Sequence, residues 1–242
     1  MSLVALVTGG SGGIGLAIVD ALAAQDISVL SAGRRQQPLD RQAESARLKG
    51  HNVTPIVMDA ADRASVKAAL APHPHIDILV NCAGAYSDGH FLDVSESDFE
   101  SLLKANLFSV MVTSQEVAPR MPHGGRIINI ASRAFLGAPR QALYASAKAA
   151  VVTLTRCMAL DLSDRGISVN AISPGLIETP MTDALPPERR AAIQRMIPGG
   201  RLGRPEEIAS VVALLAGSGG GYINGANILV DAGRSLGGGM AL

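Results

Sequence analysis

The strongest constraint on this chain is a regular alternation of short, wholly apolar runs with segments of helix length. The runs are LVALV (3–7), ISVLSA (27–32), VTPIV (53–57), IDILV (76–80), RIINIA (126–131), ISVNAI (167–172) and NILV (227–230). A strand with one wet face alternates apolar and polar residues, whereas a strand covered on both faces is apolar throughout, so these runs predict buried strands. Between them, amphipathic or Ala-rich stretches near 14–24, 62–70, 98–120, 143–164 and 205–216 predict helices. Strand, helix, strand in repetition makes parallel βαβ units. The expected fold class is therefore α/β: a doubly wound, seven-stranded parallel sheet with helices on both faces.

No linker or shift of composition divides the 242 residues, so one domain, 1–242, is expected. Residues 34–50 form the least regular crossover, with Pro38 expected to delay any helix. Residues 173–204 are a long excursion rich in Pro and Gly; they read either as a substrate lid, at about 179–204, or as an ordinary surface loop. The 21 basic residues balance the 21 acidic ones, and this argues against nucleic acid or a membrane surface as a partner. The two cysteines, Cys82 and Cys157, have no metal-ligand spacing and suit a reducing cytoplasmic setting. MSLVALVTGG lacks a charged leader region, and its apolar run is too short for a signal or transmembrane segment, so it reads as the first strand. His51, His73, His75, His90 and His123 lack metal-site spacing; they are expected to be exposed, and no metal is assigned.

After the first strand comes TGGSGGIG, residues 8–15. Glycines let the backbone turn tightly and bring a pyrophosphate against the N–H groups of the following helix. Gly9, Gly13 and Gly15 are spaced G-x-x-x-G-x-G, with Ser11 and Ile14 between them. Such glycines also serve turns without a ligand, but their place after strand one of a βαβ unit favours a dinucleotide. The second strand ends in SAGRR, where Gly33 stands at the position of the acidic residue that usually selects NAD. Arg34 and Arg35 follow, and either accommodate a 2′-phosphate or form a solvated loop edge. NADP(H) is accordingly expected over NAD(H). Asp59, followed by Ala60, is placed to bond an adenine amino group, whereas Asp62 suits a helix N-cap. Asn81, Ala83 and Gly84 of NCAG lie at a carboxyl end, where ligands of such sheets bind.

YASAK, residues 144–148, places Tyr144 and Lys148 on one helix face, with Cβ atoms roughly 5–6 Å apart. A lysine cation favours the phenolate and suits the phenol to proton transfer. In isolation the pentapeptide reads rather as an exposed Tyr on an Ala-rich helix. Together, however, TGGSGGIG, NCAG, Asn106 in KANL, Ser132 in INIAS, YASAK and SPGLIETP have the order and approximate spacing of the classical short-chain dehydrogenase/reductase family. The resemblance spans essentially the whole chain, and RLGRPEEIA and YINGANILVDAG are similar to its 3-oxoacyl-[acyl-carrier-protein] reductase and bacterial alcohol dehydrogenase branch.

The resemblance implies a single-domain Rossmann fold and hydride transfer between NAD(P)(H) and a secondary alcohol or ketone. Tyr144 would be the general acid or base, with Lys148 tuning it and holding the nicotinamide ribose. Ser132 would donate to the substrate carbonyl, and Asn106 would complete a proton relay through water to Lys148. Pro174, Gly175, Ile177 and Thr179 would hold the nicotinamide carboxamide. The resemblance also implies a homotetramer or homodimer, with the tail RSLGGGMAL reaching a neighbouring subunit. Two departures stand out. Cys82 replaces a second asparagine, and Ser132 and Tyr144 are twelve residues apart, one fewer than in many relatives. Met181, Leu185 and Ile197 are candidate apolar substrate walls, and Arg133 and Arg140 are candidate contacts to an anionic substrate. The alternatives weighed are a 3-oxoacyl-[acyl-carrier-protein] reductase and a non-catalytic dinucleotide sensor.

Overall fold

The computed structural model describes residues 2–183 and 185–236, with the side chain of Met181 left out. Seven strands form one sheet: β1 (Val4–Thr8), β2 (Ser28–Gly33), β3 (Val53–Val57), β4 (Ile78–Asn81), β5 (Arg126–Ile130), β6 (Ser168–Pro174) and β7 (Asn227–Val230). Their order is β3-β2-β1-β4-β5-β6-β7, and every neighbouring pair is parallel. The order reverses between β1 and β4, and the carboxyl ends of these two strands therefore flank the crevice in which such sheets take ligands.

Burial on two faces is what the continuous apolar runs anticipated. In β1, Ala5 and Val7 pack toward α1 (Gly13–Ala23) and α9 (Pro205–Ala216), while Leu6 packs toward the opposite layer. That layer comprises α3 (Arg63–Leu70), α5 (Ser109–Val117) and α6 (Ala142–Asp161). β4 divides in the same way, with Ile78 and Val80 on one side and Leu79 on the other. The period of two along each strand thus feeds two separate cores.

Two sequence expectations about helices are corrected. Residues 36–48 form a regular helix, α2 (Gln36–Leu48), despite Pro38. Pro38 is its third residue, where a backbone N–H would have no partner inside the helix, so the ring costs the helix no hydrogen bond. The single helix expected over 98–120 is instead α4 (Glu96–Leu103), a π-helical turn (Lys104–Phe108) and α5, closed by a 3₁₀ turn (Ala118–Arg120). α4 starts early because Ser95 and Asp98 make a reciprocal capping box.

The excursion between β6 and β7 carries α7 (Pro180–Asp183) and α8 (Pro187–Arg195), tied by an ion pair between Arg190 and Asp183 at 2.9 Å. Residues 237–242, most of the tail expected to reach a neighbour, lie outside the described residues. Among the described residues no helix is long and apolar enough to cross a membrane. His75, His90 and His123 are exposed as expected, but His51 and His73 are half-buried, a correction; no metal-ligating cluster exists among the described residues.

Ile128 is 1 % exposed and central to the sheet. Ile128→Ala is expected to cost about 2–5 kcal/mol of unfolding free energy, measured by urea denaturation, with the slope of the transition unchanged.

Candidate active site

The glycine turn is built by contact, and flexibility alone does not explain it. Gly9 adopts φ +68°, and a Cβ on Gly15 would stand 2.1 Å from the Gly9 carbonyl oxygen, so the first turn of α1 packs on the loop only if residue 15 has no side chain. From α2, the buried Gln42 donates to Gly10 O at 2.9 Å and accepts from Ser31 Oγ at 2.6 Å, fixing the turn against β2. On its other side, Thr8 Oγ1 accepts from the N–H groups of Cys82 and Ala83, each at 3.1 Å. The loops after β1 and β4 are thus joined at the switch point. Sequence reading missed both Thr8 and Gln42, for a polar residue inside an apolar segment reveals no partner until the chain has folded.

At the end of β2, Arg34 and Arg35 are exposed, and neither forms an ion pair or side-chain hydrogen bond among the described residues. Asp62 caps α3 through Ala64 N and Ser65 N, as expected. Asp59 lies at the same sheet edge, exposed, with one carboxylate oxygen accepting from Ala61 N at 2.9 Å; Ala60 beside it is buried.

Asn81 is placed differently from its neighbours. Its side chain donates to Asn129 Oδ1 at 2.9 Å and Ser114 Oγ at 3.1 Å and accepts from Thr113 Oγ1 at 2.6 Å. Asn129 passes the network on to Thr155 Oγ1 at 2.9 Å. This buried ladder joins β4, β5, α5 and α6 beneath the crevice, and the Asn81 amide is consumed by it; only the Asn81 backbone remains for a ligand.

Tyr144 and Lys148 share one face of α6, as their spacing required, with the Lys148 ammonium 5.8 Å from the phenol ring centre. Lys148 is 5 % exposed and donates to Ile130 O at 2.9 Å, its one hydrogen bond among the described residues. An ammonium has three donors, so the remaining N–H groups are free for an incoming ligand. Burial pushes the ammonium down to about 8, and the nearby Cys82 works the other way. Burial raises the Tyr144 phenol above its ordinary value, whereas a hydrogen bond with Ser132 pulls it back; Tyr86 and Cys82 nearby push it further up. Ser132, at the end of β5, also caps the next turn by accepting from Ala134 N at 3.2 Å. Ser132, Tyr144 and Lys148 therefore converge at one point.

Asn106 reaches the same region through the π-helical turn. Its Nδ2 donates to Ala85 O at 2.9 Å and Leu102 O at 3.0 Å, and its Oδ1 accepts from Ala85 N at 3.3 Å. It pins the loop after β4 and makes no direct bond to Lys148. Gly84 lies between the two: a Cβ there would stand 2.6 Å from Asn106 Oδ1 and 3.6 Å from Lys148 Nζ. Burial pushes the Cys82 thiol up to about 11, away from the thiolate that a nucleophile needs.

From β6, Pro174 and Ile177 are buried and Gly175 is half-buried beside Asp231. Thr179 closes against the glycine turn, with its Cγ2 3.4 Å from where a Gly13 Cβ would be. Thr182, another residue the sequence did not single out, accepts from Thr179 N at 2.9 Å and donates to Ile177 O at 2.8 Å. Of the expected apolar walls, Leu185 is half-buried, and Ile197, 5 % exposed, lines a cavity of about 210 Å³ together with Gly175 and Val230. The Met181 side chain lies outside the described residues. Arg133 has a buried Nε without a partner, and Arg140 pairs with Asp88 at 2.9 Å.

A parallel sheet with a glycine turn at its switch point, and Ser132, Tyr144 and Lys148 gathered by the carboxyl ends of β4 and β5, is the architecture of a nicotinamide-dependent oxidoreductase. Comparison with known proteins gives its family. The family model described as "Enoyl-(Acyl carrier protein) reductase" matches residues 9–235. The 3-oxoacyl-[acyl-carrier-protein] reductase FabG of Vibrio cholerae is 39 % identical over 240 residues, covering 96 % of this chain and 97 % of that protein. A solved short-chain dehydrogenase/reductase from Serratia marcescens superposes with a TM-score of 0.91 at 39 % identity, covering 96 % of this chain and 98 % of its own. A blue fluorescent protein from a metagenomic library, solved in complex with NADPH, gives 0.90 at 36 % identity over 96 % and 97 % of the two chains. The chain belongs to the classical short-chain dehydrogenase/reductase family.

Because the contact between Gly84 and Asn106 leaves no room for a methyl group, Gly84→Ala is expected to displace Asn106 and the loop that it holds beside Lys148. Steady-state kinetics should show kcat reduced about a hundredfold, the order of loss that a misplacement near 1 Å brings.

Proposed function

We propose that the chain is an NADP(H)-preferring reductase or dehydrogenase of a ketone and its secondary alcohol, with Tyr144 as the proton-transferring group. The observation that carries this reading is the convergence of Ser132, Tyr144 and a buried, mostly unpartnered Lys148 ammonium in front of the glycine turn. The cradle suits a dinucleotide: the backbone of Gly9, Ser11, Gly13, Ile14 and Gly15 would face the pyrophosphate, and Asp59 with Ala60 the adenine. The Asn81 backbone, Ala83 and Gly84 would floor the ribose, which Lys148 would hold. Pro174, Gly175, Ile177 and Thr179 would meet the carboxamide. The bound nicotinamide supplies or accepts the hydride.

In reduction, Ser132 Oγ donates to the carbonyl oxygen and stabilises charge as it develops there. Tyr144 Oη delivers its proton to the same oxygen, and the Lys148 cation stabilises the phenolate left behind. Asn106 acts by holding Ala85 and the floor of the site, and its relay to Lys148 runs through water. In oxidation the steps reverse, and Tyr144 must start as the phenolate. Opposite pH dependences follow. Reduction should slow as pH rises past about 8, as Lys148 loses the charge that stabilises the phenolate, whereas oxidation, which needs that phenolate, should speed up with pH until Lys148 is neutral. Stopped-flow rates in both directions check the signs.

The cofactor preference rests on exposed Arg34 and Arg35 at the end of β2, where an acidic residue would select NAD. We also read the protein as cytoplasmic and as a homotetramer or homodimer, with a small-molecule substrate and neither nucleic acid nor membrane as partner. Exposed Leu160, Leu214 and Leu229 on α6, α9 and β7 support the assembly, which sedimentation would measure.

Purified protein tested with NADPH and NADH against a panel of ketones addresses the whole reading. Tyr144→Phe should abolish turnover and leave NADPH binding intact; persistent turnover would sink the mechanism. Arg34→Asp should raise the KM for NADPH about tenfold or more, as loss of a charge-assisted phosphate contact does, while leaving NADH nearly unaffected. Equal or better activity of the wild type with NADH would overturn the assignment to NADP(H).

A further inference from the structure

Three separate segments of the chain meet at one carboxylate. Asp88, in the loop after β4, has its side chain 17 % exposed. Its Oδ1 accepts from Arg140 Nε at 2.9 Å, and its Oδ2 pairs with Arg189 of α8. Arg140 belongs to the loop shortened by one residue between Ser132 and Tyr144. It is one of three non-glycine residues with positive φ among the described residues, at +63°. A left-handed arginine persists only where its surroundings over-determine it. Here the surroundings are the Asp88 pair and a second bond, Gly89 N donating to Arg140 O at 2.9 Å.

The cluster leads directly to the proton donor. Two residues before Asp88, Tyr86 lies edge-on to Tyr144, with ring centres 5.2 Å apart and planes inclined by 73°. The Tyr86 hydroxyl accepts from Gln141 Nε2 at 3.2 Å, and the Arg189 guanidinium lies close enough to lower the pull of burial and Asp88 on its proton. One guanidinium on the excursion between β6 and β7 is therefore paired with the carboxylate two residues from the ring that backs Tyr144, and lies near that ring's hydroxyl. Offset, edge-on aromatic contacts are directional, so moving Tyr86 changes the surface against which Tyr144 is held.

We infer that Asp88 is a positioning residue: it clasps α8, through Arg189, to the wall of the catalytic cleft and keeps Tyr86 edge-on against Tyr144. Exposed ion pairs contribute little to global stability, so the clasp acts locally, on closure over the substrate and on the seating of Tyr86. The kinetic consequence rests on the reaction proposed above, whereas the structural consequence does not.

The test uses the full chain saturated with NADPH and compares the wild type with Asp88→Asn, Arg189→Gln, the double variant and Arg189→Lys. Amide hydrogen exchange over residues 187–195 should quicken about tenfold in either single variant, the order expected for loss of one charge-assisted contact. The double variant should exchange no faster than the singles, because both remove the same link. Arg189→Lys should restore most of the protection. The KM for the ketone should rise about as much as exchange does, with the NADPH dissociation constant unchanged within about twofold. Unchanged exchange over 187–195, additive single effects, or a parallel rise in the NADPH dissociation constant would each overturn the inference. A chain that reduced no ketone would refute the proposed reaction, and the exchange comparison would still decide the clasp.

Discussion

The rest of the site depends on a lysine cation taken out of water. Lys148 is 5 % exposed, has one backbone carbonyl as its partner and is pushed down to about 8 by burial. A buried ammonium with spare donors is unfavourable unless something is gained from it elsewhere. What is gained is reach: the cation stands beside the Tyr144 ring and next to the floor at Gly84, so a single charge can act both on the phenol and on whatever occupies the crevice. Tyr144 itself is driven up by burial, and only the Ser132 hydrogen bond pulls the other way. The site without its ligand therefore keeps the phenol protonated, and the positive charge of Lys148 matters most when the proton leaves.

Holding that cation in place requires close approaches that ordinary residues would prevent. The Gly84 contact with Asn106, the Gly15 contact with the Gly9 carbonyl and the π-helical turn around Asn106 are all departures from regular geometry, and all lie at the carboxyl ends of the strands. One extra residue in a helical turn re-aims a side chain, here toward the loop after β4. Beneath them, the ladder from Asn81 through Asn129 to Thr155 is polar yet satisfied, and it locks two strands and two helices in register below the crevice. Regular βαβ packing sets the platform, and its irregularities shape the site.

The strands, the single domain and the glycine turn were legible because each rests on a local rule: continuous apolar runs, unbroken composition, and small residues where the backbone must turn. The Tyr144–Lys148 pair was legible because helix periodicity alone sets its spacing. The errors came where position within an element mattered more than residue type. Pro38 predicts a delayed helix, but in the first turn of α2 it displaces no hydrogen bond. The stretch 98–120 was read as one helix because a π turn leaves the apolar pattern nearly intact. Asn81 stands at the carboxyl end of β4 as expected, and only the fold shows that its side-chain amide turns into the ladder.

By itself the sequence determined the parallel sheet, the place of the glycine turn and the shared face of Tyr144 and Lys148, since these follow from periods of 2 and 3.6 along the chain. Only the tertiary structure decided which polar groups are free and which are spent. It placed Thr8 and Gln42 as braces, turned the Asn81 amide inward, and gathered Asp88, Arg140, Arg189 and Tyr86 beside the phenol. The physical reason is distance along the chain. Partners 30 to 100 residues apart are joined only when strand order and helix packing bring them together, and a hydrogen bond between such residues leaves no local trace in the sequence.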